Sequence, residues 1–136
     1  MLKTNIKVNI DDIGGKVAKE DERYVVKDNS FGNKLILSST LLEPNKSTSG
    51  HFHNGQEEVY FFVRGNGEME LDSERFEVKA GDIVNIEDGV FHRVYNTNDN
   101  TQLYFVCVFD GGSTARENHE TIKEKQAQIK IKTNLA

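Results

Sequence analysis

From Tyr24 onward, short runs of β-branched, aliphatic and aromatic residues alternate with clusters of Gly, Asn, Asp and Ser. This rhythm predicts strands at Tyr24 to Val26, Lys34 to Glu43, Glu58 to Arg64, Glu68 to Leu71, Arg75 to Lys79, Ile83 to Ile86, Phe91 to Asn96 and Gln102 to Phe109. Turn signals separate them: Asp28 to Asn33, Gly65-Asn66-Gly67, Asp72-Ser73-Glu74, Ala80-Gly81-Asp82, Asp88-Gly89 and Asn98-Asp99-Asn100. Pro44 ends the second strand. Many short strands at tight spacing predict an all-β sandwich or barrel rather than βαβ units. Val59 to Val63 and Leu103 to Val106 are apolar on both faces, so their outer face requires cover from the N-terminal arm or a second subunit.

The ends differ from this middle. Residues 1–23 are polar and charged and predict an arm with at most one short strand, without chemistry of its own. Beyond Gly111-Gly112, helix formers from Ser113 to Gln128 predict a short helix, followed by a possible edge strand Ile129-Lys130-Ile131. The expected division is an arm over 1–23, a barrel over 24–112 and a tail over 113–136 that packs on the barrel. No G-x-G-x-x-G, P-loop or serine-nucleophile motif is present.

Composition narrows the partners. With 136 residues, 36% hydrophobic and 29% charged, the chain is a single ordinary globular domain. A formal charge of −5 excludes nucleic acid and anionic membranes as partners, because either needs a basic face. A phosphorylated small molecule needs only a few local donors and stays open. The first residues lack the apolar stretch of a signal peptide, so a cytoplasmic location is expected. The single Cys107 lies in an apolar run and reads as a buried thiol.

The chemistry concentrates in Gly50-His51-Phe52-His53-Asn54-Gly55-Gln56-Glu57-Glu58. On a strand His51 and His53 leave the same face, and a turn at Asn54-Gly55 returns Glu57 or Glu58 beside them. Imidazoles and a carboxylate with open positions suit one divalent Fe, Mn, Zn, Ni or Co ion. An exposed His-rich turn that binds nothing would look similar over these residues alone.

A second segment adds a third histidine. His51, His53, Glu58 and Gly65, with Gly81, Gly89, His92 and Asn96, match the two-part signature of the cupin superfamily, G-x5-H-x-H-x4-E-x6-G and G-x5-P-x-G-x2-H-x3-N. The first part lacks its leading glycine at the usual offset, and Glu87 stands where the second has proline. The resemblance implies a double-stranded β-helix (jelly-roll) barrel with a metal inside one end, held by His51, His53, Glu58 and His92. It selects Glu58 over Glu57 as the carboxylate.

Within that superfamily, Gly50 to Tyr60, Thr40 to Lys46, His92-Arg93 with Asn96-Thr97, and the tail His119 to Lys125 ending in Ile129-Lys130-Ile131 resemble the archaeal cupin-type glucose-6-phosphate isomerases. The chain departs from them in a shorter N-terminus and a shorter loop between Pro44 and Gly50. The resemblance implies a metal-dependent aldose–ketose isomerase working through an enediol, with Glu58, Tyr60 and His119 at the reacting carbons. Thr40, Thr48 and Gly50 would bind the substrate phosphate, with Lys46 and Arg93 as candidate charges, although strand alternation turns Arg93 away from His92. The expected partner is a phosphorylated sugar and the expected assembly a homodimer. The rival expectations are another metal-dependent cupin enzyme, a dioxygenase or decarboxylase, and a non-catalytic sugar-binding cupin.

Overall fold

Alternation of exposure along the central strands sets the architecture. In β4 (Glu58–Arg64), Glu58, Tyr60 and Phe62 are buried while Val59, Phe61 and Val63 are only partly so. One face of the strand therefore lines an interior and the other lies against a thinner cover. The computed structural model describes residues 7–30 and 34–111. Within them are nine strands and no helix: β1 (Lys16–Glu20), β2 (Tyr24–Ser30), β3 (Leu35–Leu42), β4, β5 (Asn66–Leu71), β6 (Glu74–Lys79), β7 (Ile83–Ile86), β8 (His92–Tyr95) and β9 (Leu103–Asp110). The predicted C-terminal helix and edge strand lie outside the described residues.

The strands form a six-stranded sheet in the order β1-β2-β3-β9-β4-β7 and a three-stranded sheet in the order β6-β5-β8. Every pairing is antiparallel. Between the sheets lies a core of Tyr24, Leu42, Tyr60, Phe62, Met69, Val78, Ile86, Val94, Leu103, Phe105, Cys107 and Phe109. This is the expected all-β jelly roll.

The strands follow the predicted positions, with one clear difference. Asp28 to Ser30, expected as loop, continue β2 and pair with Ser38, Leu37 and Ile36 of β3. Polar residues persist in this strand because their groups find partners: the Asn29 amide donates to the carbonyls of Ile13 and Gly14 at 3.0 Å each. The same contacts pin the N-terminal arm to the outer face of the large sheet. There Ile13 packs with Tyr104 and Val106, joined by Val8, Leu37, Leu41 and Val63. The arm thus covers part of the second apolar face, while Leu35 and Ile83 remain exposed.

Gly65, with φ +88°, makes the turn from β4 to β5. Its Cα lies so close to the Gln102 carbonyl that a Cβ would overlap it.

Candidate metal centre

The His-bearing segment is attached to the small sheet, not to β4. Residues 47–51 run beside β8, with bridges Ser47 to Tyr95 and His51 to His92. The backbone N–H of Thr48 donates to the Val94 carbonyl at 2.9 Å, and the Val94 N–H donates to Thr48 Oγ1 at 3.0 Å. Arg93 closes the join, its guanidinium donating to the Thr48 carbonyl at 2.9 Å and to Ser47 Oγ at 3.1 Å. Gly55, at φ 72°, then helps swing the chain across to β4.

The predicted hairpin is therefore not what forms. β4 pairs with β7 and β9 in the other sheet, so Glu58 meets the histidines from the opposite wall. The physical reason is the apolar length of β4, which is buried best in the middle of the large sheet.

Four side chains converge. Ligand atoms of His51, His53, Glu58 and His92 all lie within 4.8 Å of one another. Bonds of about 2.0–2.2 Å to a single ion would place opposite ligands no more than about 4.4 Å apart, so closing on an ion needs a contraction of a few tenths of an ångström. Glu58 and His92 are nearly inaccessible, at 4% and 1% exposure. Glu57 is exposed, as its alternation with Glu58 requires.

Backbone carbonyls set the ring orientations. His51 Nδ1–H donates to the Ser49 carbonyl at 3.2 Å, and His92 Nδ1–H donates to the Val90 carbonyl at 3.1 Å. A carbonyl only accepts, so each Nδ1 carries the hydrogen and each Nε2 keeps its lone pair. His92 Nε2 is buried without a hydrogen-bond partner. It is 4.0 Å from Glu58 Oε1, which in turn lies 2.5 Å from His53 Nε2. A buried, unpaired acceptor facing a carboxylate is costly unless a cation sits between them, and that is the observation by which these residues fit a metal ion.

Protonation agrees with the geometry. Burial, then the neighbouring His92, pushes His51 down to about 3. Burial likewise lowers His92 below the usual imidazole value. Burial alone would raise Glu58, but its hydrogen bond to His53 and the surrounding imidazoles hold it at about 2. At neutral pH His51 and His92 are therefore neutral donors and Glu58 is an anion, the states a divalent ion needs.

The remaining candidates are placed as follows. Tyr60 is buried one step inward from Glu58, its ring edge-on to His92 at 5.8 Å and stacked on Phe105 at 5.2 Å. Cys107 is buried and is the cross-strand partner of Tyr60. Thr40 is buried between Val26 and Phe105, one further step from the cluster. Thr48 is committed to Val94, and Lys46 is exposed with its carbonyl accepting from the Asn96 N–H at 2.8 Å. A Cβ on Gly50 would overlap the Phe91 ring, so packing also requires a glycine there. His119 lies outside the described residues. Ser49 and Val90, whose carbonyls orient the imidazoles, leave no mark in the sequence, because any residue supplies a carbonyl. Phe109, which stacks on His53 at 6.4 Å, was foreseeable from the alternation of β9.

Comparison with known proteins agrees with this architecture. The cupin domain family matches residues 39–109. An uncharacterized protein of Methanocaldococcus jannaschii is 33% identical over 95 residues, covering 62% of this chain and 75% of its own. The oxalate-binding protein of Thermotoga maritima is 30% identical over 95 residues, covering 70% of this chain and 78% of its own. Among solved structures, an uncharacterized conserved protein with a double-stranded β-helix domain from Klebsiella pneumoniae superimposes with a TM-score of 0.63 at 19% identity, over 71% of this chain and 84% of that one. With the two-part motif folded into one ligand cluster inside a jelly roll, the chain belongs to the cupin family.

Proposed function

We propose that this protein is a metal-dependent enzyme that holds a small substrate through two neighbouring oxygens at one divalent ion. The observation that carries this reading is the convergence of His51, His53, Glu58 and His92, with the His51 and His92 lone pairs and one carboxylate directed to a common point. A bound first-row divalent ion there supplies Lewis acidity, which stabilises negative charge developing on a substrate oxygen. The residues around it exclude water and fix the approach: Phe109 covers His53 and Tyr60 borders His92.

Within that class the proposed reaction is aldose–ketose isomerisation of a phosphorylated sugar, of the glucose 6-phosphate and fructose 6-phosphate type. What supports it is the sequence resemblance from Thr40 to Ile131. The reaction moves a proton between adjacent carbons through an enediol, so it needs a proton carrier and a stabilised oxyanion. Glu58, held at about 2, is a weak base in the metal-free site and better suited to holding the ion than to removing a proton. Tyr60, whose ring borders His92, is the group proposed to donate a hydrogen bond to the substrate.

A second reading has its own support. The 30% identity to an oxalate-binding protein favours a two-carbon dicarboxylate as ligand, bound or decarboxylated. One experiment separates them: protein reconstituted with Mn(II), Fe(II), Zn(II), Ni(II) or Co(II) is given fructose 6-phosphate in deuterium oxide, and in parallel oxalate. Deuterium entering the sugar with formation of an aldose phosphate is the expected result. Failure with every hexose and pentose phosphate, alongside calorimetric binding of oxalate, would replace the isomerase by the second reading.

A further inference from the structure

The N-terminal arm carries no catalytic motif, yet it brings two cations to the chain segment that bears the metal ligands. In β1, Val17 pairs with Lys27 and Lys19 with Val26, leaving Ala18 as an extra residue in a bulge. Without the bulge Lys19 would fall opposite Val25, on the outer face. With it, Lys19 falls opposite Val26, which packs on the core between the sheets. A bulge that re-aims one side chain in this way is a device found beside functional sites.

Lys19 is aimed at Ser49. Its Nζ lies 3.4 Å from Ser49 Oγ, Arg23 Nη1 lies 3.3 Å from the same oxygen and the Tyr24 hydroxyl 3.5 Å. Asp21 grips Arg23 through Nε and Nη2, the latter at 2.8 Å, which holds the guanidinium with Nη1 turned towards Ser49. Both cations also lie over the Tyr24 ring, at 5.1 and 4.9 Å. Three donors, two of them charged, thus crowd one neutral oxygen at the outer limit of hydrogen-bond length. The hydroxyls of Ser49 and Tyr24 accept hydrogen bonds here but carry no charge, so they offset neither cation. Among the described residues no carboxylate forms an ion pair with Lys19. Burial alone would raise the Tyr24 phenol, but hydrogen bonds from Lys19 and Ser49, with the nearby Lys19 charge, bring it below its ordinary value.

We propose that Lys19, Arg23, Tyr24 and Ser49 form an oxyanion-binding subsite on the rim of the barrel, which takes a terminal phosphate or carboxylate of the substrate. The proposal rests on the reading of the metal cluster as the place where the substrate's other end is held. The Ser49 carbonyl accepts from His51 Nδ1 at 3.2 Å, so the two sites are joined through one imidazole. Summed along this path, with a metal–nitrogen bond of about 2 Å, the donors would lie no farther than on the order of 10 Å from an ion held by the cluster. A substrate with a carbon chain between its metal-binding oxygens and a terminal oxyanion spans them.

The test uses the full chain, metal-free and loaded with Mn(II), with inorganic phosphate and acetate as probes. Phosphate or acetate is titrated calorimetrically into the metal-free protein, the stronger of the two identifying the group recognised. The expected result is binding that weakens about tenfold in Lys19→Gln and Arg23→Gln, about 1.4 kcal/mol, with Mn(II) stoichiometry unchanged. Lys19→Glu should abolish it. Lys19 is exposed, so its variants fold even if removing the Arg23–Asp21 pair disturbs the turn. In the Mn(II) protein, phosphorus relaxation should place bound phosphate beyond direct coordination but within the limit, on the order of 10 Å, that the connecting path sets. Binding indifferent to Lys19→Gln and Lys19→Glu, or phosphate seated only on the metal itself, would overturn the subsite. Absence of isomerase turnover with the Lys19-dependent binding intact would instead count against the proposed reaction alone.

Discussion

Strand β4 enters the barrel with Glu58 and continues with Tyr60 and Phe62; β8 enters with His92 and continues with Val94. The same inner faces that present ligands at one end present hydrocarbon at the other, where Leu42, Phe62, Met69, Val94, Leu103 and Phe105 are almost wholly buried. At the packed end each side chain gains by leaving water, whatever its neighbour does. At the metal end four polar side chains, Glu58 and His92 buried and His51 and His53 half-buried, depend on one another's charge. The contrast teaches that the fold rests on the first end and the chemistry on the second, and that a substitution should reveal which end it belongs to.

The largest effect is expected at the packed end. Phe105→Ala removes a ring that is 2% exposed and should lower unfolding free energy by about 3–5 kcal/mol, measured by urea denaturation. The loss should be similar with and without metal. A loss confined to the metal-loaded protein would break the division between the two ends.

Next come the ligands. His92→Ala should weaken metal binding by more than about 100-fold, beyond the 10–100-fold cost of losing an outer partner of a ligand. The stabilisation conferred by metal, about 2.7 kcal/mol at a concentration of 100 times Kd, should vanish with it. Metal analysis and thermal melts check both.

Acid should act at the same end. His51 is lowered to about 3 from 6.5, so between those values the unfolded chain binds more protons than the folded one. Glu58, lowered to about 2 from 4.5, behaves alike over its own interval. Stability of the metal-free protein is therefore greatest above pH 6.5 and falls on acidification, by at most about 1.4 kcal/mol per pH unit for each group. His51→Phe should reduce the part of this slope above pH 4.5, leaving the share that the lowered His92 contributes, while Phe105→Ala should leave the slope unchanged.

The smallest effects concern the boundary. Gly50→Ala places a methyl group against the tip of the Phe91 ring and should cost about 1 kcal/mol, the low end for overpacking because a ring tip can turn away. Recovery of that stability in the double variant Gly50→Ala with Phe91→Leu would identify packing as the reason for the glycine. Without recovery, Phe91 is not what excludes a side chain at position 50. Tyr60→Phe should change stability by about 1 kcal/mol or less, the net worth of one hydrogen bond, and lower kcat of the proposed isomerisation.

Much of this was legible from residue spacing. Strands such as Glu58 to Arg64 and Ile83 to Ile86 appear with the bounds that alternation predicts. The cupin signature picked Glu58 over Glu57 and added His92 to His51 and His53, and the structure brings these four side chains together. What was not legible depends on partners remote in sequence. Asp28 to Ser30 look like a loop because their composition is polar, and become a strand because Ile13, Gly14 and β3 satisfy them. Asn54-Gly55 looks like the turn of a hairpin, because nothing local records that β4 will be drawn into the large sheet.

The sequence by itself determined the class of fold, which follows from local periodicity, and its resemblance to the cupin signature singled out His51, His53, Glu58 and His92 as candidate ligands. Only the tertiary structure decided that the ligands approach from opposite sheets, that the Ser49 and Val90 carbonyls turn the Nε2 atoms inward, and that a bulge in the arm carries Lys19 to Ser49. Those features arise where two walls of the barrel meet, and a contact between walls has no period along the chain.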